Sequence, residues 1–491
     1  MAASAAAQTA EPTARIDTGA ISGTAEGDVQ AFHGVPYAAP PVGPLRWKAP
    51  QPPTPWDDVR DATAFGNACP QPLREEAWAQ VGAQSEDCLF LNVWRPARSG
   101  KYPVIVFLHG GGFTFGAAGV PLYDGTALAA RGAVVVTVNY RLGRLGFFAH
   151  PALTAEDPDG LLGNYAMMDA IASLQWVKRN IAQFAGDPDN VTIVGESAGA
   201  GMVQLLMGTP LASGLFHKAA SHSGSGSSVL APIRGGPVNA ELLGKMWTDQ
   251  LGLENATAAQ LRAIPVEEVI KGRAFPFIDG KVVVRSPGEA FYQGKQAPVP
   301  LIIGSNSNEA TLGGMDEAAA RGVLGDRFDA LRDGYVELTG KSPDDATVDL
   351  AEDLGFVLPS LALADQHAKA GNRAYAYYFD QVHVDGRGTL PGTEHGGELE
   401  YLFDTKAAEH DWDAQDRSVS DLMGDYWVRF ATTGDPNGAG APRWPAVGTP
   451  PTVYLHIGAE TRAEHLGSVQ EKAKAAAMEK AIAQWAAPAA D

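Results

Sequence analysis

Seven short apolar runs, mostly separated by stretches long enough for a helix, constrain this chain of 491 residues more than any other feature. Leu89 to Trp94, Val104 to Leu108, Ala133 to Asn139, Val191 to Val194, Lys218 to Ser221, Val299 to Ile303 and Ala374 to Phe379 read as strands. Several are apolar on both faces, as strands are when a mostly parallel sheet is covered by helices on either side. The expected class is α/β with one large, mostly parallel central sheet. Ahead of it, Ile16 to Tyr37 carries short alternating segments with Gly turns, which predict a small antiparallel sheet, and Pro36 to Pro55 reads as a proline-rich surface wrap. Tyr165 to Ala185 has apolar residues at helical spacing, and Val469 to Trp485 reads as an Ala-, Lys- and Glu-rich closing helix. No linker or repeat follows the N-terminal tail (1–14), so residues 15–488 are expected to form one domain. Mixed helical segments at about 230–298 and 310–371 read as insertions above the carboxyl ends of the strands. An open α/β sheet places its ligand there, so these insertions are expected to wall a pocket.

The run Val191 to Val194 leads directly into Gly195-Glu196-Ser197-Ala198-Gly199, and a small-residue helix start, Ala198 to Met207, follows. A serine hydroxyl becomes a useful nucleophile when it stands clear of the sheet, near a base and at the positive end of a helix. The flanking glycines suit a turn so tight that backbone meets backbone. In a chain with 56 Gly the pentapeptide is a weak signal, and its place between a buried strand and a helix gives it weight. His109-Gly110-Gly111-Gly112-Phe113 ends the strand Val104 to Leu108. Its unshielded backbone lets Gly111 and Gly112 aim N–H groups at a developing oxyanion, and the Ala198 N–H at the helix start can add a third. An isolated Gly-Gly-Gly is more often a packing turn; its order relative to the serine reverses that reading.

An acid and then a histidine should follow the serine. His395, in Thr393-Glu394-His395-Gly396-Gly397-Glu398, stands in a Gly-flanked loop after the strand Ala374 to Phe379, with His383 the second choice. Glu309 follows the polar stretch Gly304-Ser305-Asn306-Ser307-Asn308, although position alone selects it weakly among 57 acidic residues.

Composition bounds the partners. No apolar run approaches the roughly 18 residues of a membrane span. The net charge of −20 argues against nucleic acid or an anionic membrane as partner, favours cationic or neutral substrates, and is equally compatible with a merely solvated acidic surface. Cys69 and Cys88 read as one disulfide formed in an oxidising compartment, with two reduced thiols the alternative. There is no Cys-x-x-Cys pair and no His-Glu-x-x-His helix, so no metal and no cofactor is expected. Met1 through Pro12 resembles the small-residue remnant around a signal-peptidase site, which points to secretion or a periplasm; a disordered tail is the competing account. The chain is expected to act as a monomer or weak homodimer.

Taken in order, these motifs resemble the type-B carboxylesterases, the family that includes cholinesterases and some fungal lipases. The resemblance runs from Phe32-His33-Gly34-Val35-Pro36-Tyr37-Ala38 to Trp444-Pro445. It takes in Ser85-Glu86-Asp87-Cys88-Leu89-Phe90-Leu91-Asn92, Asn139-Tyr140-Arg141-Leu142-Gly143, Gly186-Asp187-Pro188, Asn308-Glu309, His395-Gly396 and Gly434-Asp435-Pro436-Asn437. It implies an α/β-hydrolase fold and a small-molecule ester substrate. Ser197 is then the nucleophile, His395 the base, Glu309 the orienting carboxylate, and Gly111, Gly112 and Ala198 the oxyanion donors. The resemblance also supports the Cys69–Cys88 bridge, a structural Arg46–Glu86 ion pair, and a buried polar network of Ser223 and Glu398 behind the histidine. Ala170 and Val284 depart from the family pattern, away from the triad. Trp78 stands ten positions before Cys88, the offset of a cation-binding Trp in cholinesterases.

The mechanism so implied is ester cleavage through an acyl-enzyme, with kcat/KM falling as pH drops through an apparent pKa of about 6–7. A catalytically silent binding or adhesion homologue is the alternative from another class; an amidase, carbamate hydrolase or lipase would use the same residues. Trp78, Phe113 and Glu196, with Phe115 and Phe277, are the candidate pocket residues, although core packing accounts for most aromatics equally well. A polyanionic ester would need Lys or Arg in the gorge, and the sequence places none there.

Overall fold

The computed structural model describes residues 11–74, 80–157, 163–226, 228–312, 316–405 and 411–486. In chain order the strands are β1 (Thr13–Ile16), β2 (Gly19–Ser22), β3 (Thr24–Glu26), β4 (Val29–Pro36), β5 (Arg60–Asp61), β6 (Phe90–Pro96), β7 (Tyr102–Leu108), β8 (Val134–Val138), β9 (Gly186–Glu196), β10 (Lys218–His222), β11 (Leu301–Asn306), β12 (Ala374–Phe379), β13 (Val453–Ile457) and β14 (Arg462–His465). Among the described residues, eleven of them form one sheet in the order β14-β13-β12-β11-β10-β9-β7-β8-β6-β4-β3. From β8 through β13 all neighbours are parallel, and the antiparallel pairs lie at the two edges.

Alternate residues of the central strands serve two different cores, which is why these strands read as apolar on both faces. Val104, Val106 and Leu108 of β7 and Val134, Val136 and Val138 of β8 face one core, shared with Met167 and Trp176 of helix Tyr165–Asn180 and with Met202 of helix Ala198–Gly208. Ile105 and Phe107 of β7 and Val135 of β8 face the other, against Trp427 and Phe430 of helix Ala414–Thr433. Fully burying a large apolar side chain contributes roughly 1.5–3 kcal/mol, so this double coverage is the main source of stability.

Three details differ from the sequence reading. The region 16–37 does not form one small sheet: β1 pairs with β2 in a three-stranded sheet completed by β5, whereas β3 and β4 extend the main sheet. The helix beginning at Tyr165 stops at Asn180 and tightens into a 3₁₀ turn, Ile181–Phe184, which ends at Ala185 in the left-handed region at φ 61°. The last two strands at one end of the sheet, β13 and the edge strand β14, and the long helix Ala414–Thr433 lie outside the elements anticipated. No helix among the described residues is long and apolar enough to cross a membrane, and Cys69 and Cys88 form a disulfide.

Candidate active site

The central strands end together on one side of the sheet. β9 and β7 run parallel with Gly195 beside Leu108, so the turn after Glu196 faces the His109–Phe113 loop. Ser197 occupies that turn at φ 53° and ψ −119°, a strained conformation for a residue with a side chain. Tight packing holds it there. A Cβ on Gly195 would stand 2.3 Å from the Gly199 carbonyl oxygen, and one on Gly199 would stand 1.9 Å from that of Leu108, so neither position has room for a side chain. The Ser197 N–H donates to the His222 carbonyl at 2.8 Å, which ties the turn to β10. Helix Ala198–Gly208 starts immediately after it, so the hydroxyl sits at the positive end of a helix.

Gly111 and Gly112 have φ of 106° and 58°, and a Cβ on Gly112 would meet nothing within 4 Å. Among the described residues, the N–H groups of Gly111, Gly112 and Ala198 donate to no protein acceptor. Gly112, Ser197 and Ala198 line a cavity of about 830 Å³.

Glu309 and His395 come from loops after β11 and β12. The loops are stitched together: Asn308 N–H donates to the Thr393 carbonyl at 2.9 Å, Asn306 Nδ2 to the Glu394 carbonyl at 2.8 Å, and Asn308 and Glu394 form a parallel bridge. His395 Nδ1 hydrogen-bonds Glu309 Oε2. The fully buried Glu309 carboxylate also accepts from Ser223 Oγ at 2.6 Å and from the Asn306 N–H at 2.7 Å, which fixes it from the far side. The other imidazole nitrogen, Nε2, stands 2.9 Å from Glu196 Oε1, but the approach is too poorly aligned for a hydrogen bond, so the contact is electrostatic. No hydrogen bond joins Ser197 to His395. Burial disfavours the imidazolium, yet the Glu196 and Glu309 carboxylates outweigh it and hold His395 well above the ordinary imidazole range. Burial also raises the Glu196 carboxyl above its ordinary value.

Behind this pair lies a second buried chain. Trp427 Nε1–H donates to His222 Nε2 at 3.0 Å, so His222 carries its proton on Nδ1, 3.3 Å from Glu398 Oε1. Asn306 Nδ2 donates to the other Glu398 oxygen at 2.5 Å. Burial pushes the Glu398 carboxyl up, but the His222 and Asn306 donors prevail and its pKa lies below the usual carboxylate value. Phe356, on a wider π-helical turn at Asp353–Val357, packs its ring 5.3 Å from that of His395.

Of the residues read from the sequence, Ser197, Ala198 and Gly112 meet at the cavity, and Glu309 binds His395. Phe113 and Phe277 line the cavity, whereas Phe115 lies under the Arg74 guanidinium and Glu196 turns toward His395. Arg46 pairs with Glu86, with Nε donating at 2.7 Å. Trp78 lies outside the described residues. The sequence reading missed His222, Asn306 and Phe356, along with Arg144 and Arg273 in the cavity wall. For Arg144 a signal existed: it follows the Asn139–Gly143 motif directly. The other four depend on tertiary placement.

A serine on a strained strand-to-helix turn at the carboxyl edge of a parallel sheet, with an acid and a histidine on the loops beyond, defines the α/β-hydrolase class. The carboxylesterase family model matches residues 10–480, and the chain belongs to that family and so to the carboxylic ester hydrolases. It is 36% identical over 470 residues to the fumonisin B1 esterase of Sphingopyxis macrogoltabida, covering 90% of this chain and 86% of that one. It is 35% identical over 458 residues to the para-nitrobenzyl esterase of Bacillus subtilis, covering 87% and 91%. A solved PNB esterase superposes with a TM-score of 0.82 at 30% identity, over 94% of this chain and 99% of that one.

Proposed function

We propose that the chain cleaves carboxylic esters through an acyl-enzyme formed on Ser197. His395 Nε2 accepts the Ser197 proton as Oγ attacks the ester carbonyl. The oxyanion that develops is held by the N–H groups of Gly111, Gly112 and Ala198, each such donor being worth roughly 2.7–4 kcal/mol in a transition state. The imidazolium returns its proton to the departing alcohol. Water, deprotonated by the same nitrogen, then releases the acid. Glu309 holds Nδ1–H, fixes the tautomer and offsets the transient positive charge without taking up the proton. The observation that best supports this reading is the buried Glu309–His395 hydrogen bond, on loops beside a strained serine whose neighbouring amides have no protein acceptor.

The test is labelling with an organophosphate alongside turnover of a p-nitrophenyl ester. The expected result is one phosphoryl group per chain, on Ser197, and a loss of several orders of magnitude in kcat in Ser197→Ala, with the fold intact by circular dichroism. Turnover preserved in that variant overturns the acyl-enzyme route. A further part of the proposal is an oxidising location outside the cytoplasm, which the Cys69–Cys88 disulfide supports.

A further inference from the structure

We propose that the cavity beside Ser197 selects esters that carry a carboxylate remote from the bond to be cleaved, the anion being received by Arg144 with Arg273 at its side. The inference names a substrate class for the hydrolase reading above and rests on it. The chain holds 57 acidic and 37 basic residues, so a surface sampled at random should be acidic. The cavity is the reverse. Its described lining contains two charged residues, both arginines, and no Asp or Glu; the rest is largely apolar, with Phe113, Phe147, Phe148, Trp247 and Phe277.

Arg144 is half-buried, with its guanidinium 4.6 Å from the centre of the Trp247 ring and one N–H on the Lys271 carbonyl. Its own carbonyl accepts from Trp47 Nε1 at 2.7 Å, and the preceding Gly143 N–H donates to the Phe113 carbonyl at 2.7 Å, so its backbone is anchored to the wall that carries Gly112. The two buried arginines meet an internal acid, Arg46 with Glu86 and Arg141 with Asp169, whereas the half-buried Arg95, outside the cavity, has no carboxylate partner among the described residues. No carboxylate among the described residues pairs with Arg144, and burial alone lowers its pKa from the ordinary guanidinium value. A half-desolvated cation with donors to spare, in a largely apolar wall, is complementary to a planar anion that can take two parallel N–H bonds. Arg273, exposed at the mouth between Gly272 and Ala274, adds a second positive charge. A molecule of net charge −20 repels an anion at long range, so any preference for one must arise inside the cavity.

The experiment compares three p-nitrophenyl esters of equal reach: the hexanoate, the monoester of adipic acid, and the methyl ester of that monoester. It is accompanied by calorimetric binding of adipate, which needs no turnover. Wild type should favour the carboxylate-bearing ester over its methyl ester. The kcat/KM ratio of the two should fall roughly tenfold to a hundredfold in Arg144→Gln, the range of a charge-assisted hydrogen bond, and by less in Arg144→Lys and Arg273→Gln. Taking the ratio divides out any general damage to the cavity. Adipate binding should weaken in Arg144→Gln in parallel. Equal wild-type rates on the charged and neutral esters, or a ratio unchanged in Arg144→Gln, overturns the inference and leaves the esterase reading standing. Adipate bound through Arg144 with no ester cleaved overturns the esterase reading and leaves the anion site standing.

Discussion

Glu196 and Ser197 are neighbours in sequence whose side chains serve different partners. The turn that exposes the hydroxyl sends the preceding carboxylate to His395, so the imidazole lies between Glu196 and Glu309. The flanking charges favour the protonated ring, and the base must be neutral to accept a proton, so the acid limb of kcat/KM should lie above pH 6.5. Glu196→Gln removes one flanking charge, lowers the imidazole pKa and moves that limb to lower pH. A pH profile whose acid limb is unmoved in Glu196→Gln would remove Glu196 from this role. His222 works one step further out, oriented by Trp427 and presenting Nδ1–H to Glu398. His222→Leu keeps the bulk and removes the donor, leaving a buried carboxylate with one fewer partner, a change that typically costs about 1–3 kcal/mol. The denaturation midpoint of His222→Leu should fall accordingly.

Among the elements, the strand ends do the positioning, and they do so through close approach. Gly199→Ala would press a methyl group against the Leu108 and His109 carbonyls, backbone that cannot rotate away. The expected outcome is a loss of roughly 3 kcal/mol or more, read as a lowered thermal midpoint or a failure to fold. Gly112→Ala meets no atom, so its expression and midpoint should stay closer to wild type even though its φ of 58° disfavours a side chain. Legibility in the sequence followed the same physics. Strands buried on both faces, such as Val104 to Leu108 and Ala374 to Phe379, were readable because apolar continuity is their signature. β9 begins with Gly186-Asp187-Pro188-Asp189, which reads as a turn, and β14, Arg462–His465, is a short, mostly exposed edge strand without an apolar run. Helix Ala414–Thr433 has charges spread along it and betrays itself chiefly by the Asp413 and Asp416 capping box. The serine turn and the glycine loop were legible as local patterns. Glu309 among so many acids became legible through the family resemblance. Arg144 became meaningful only once Trp247 and Ser197, far away in the chain, shared a cavity with it.

At the scale of the whole molecule, overall charge and local field disagree, and the count that suggested cationic or neutral substrates says little about a cavity lined by two arginines. Stability is similarly set by where ionisable groups lie. His367 is fully buried, donating Nε2–H to the Val299 carbonyl at 2.8 Å and accepting from Gln296 at 3.1 Å. Burial pulls its pKa down to about 4. The unfolded chain takes up a proton below about pH 6.5 that the fold refuses until about pH 4. The stability His367 contributes is therefore complete above pH 6.5 and is lost as pH falls through that window, up to ~3 kcal/mol. Urea midpoints measured across the window should fall less steeply in His367→Gln than in wild type. Reducing the Cys69–Cys88 bond, which closes a loop of 19 residues, should cost about 3 kcal/mol at any pH in that range. Because the strip around Asn308 is laced to the strip around Glu394, acid and imidazole travel as a single cassette, and the helical excursion between Glu309 and β12 is not what holds them together. Descendants of such a molecule can rewrite that excursion, which includes Phe356, and so acquire new tastes without relearning the chemistry.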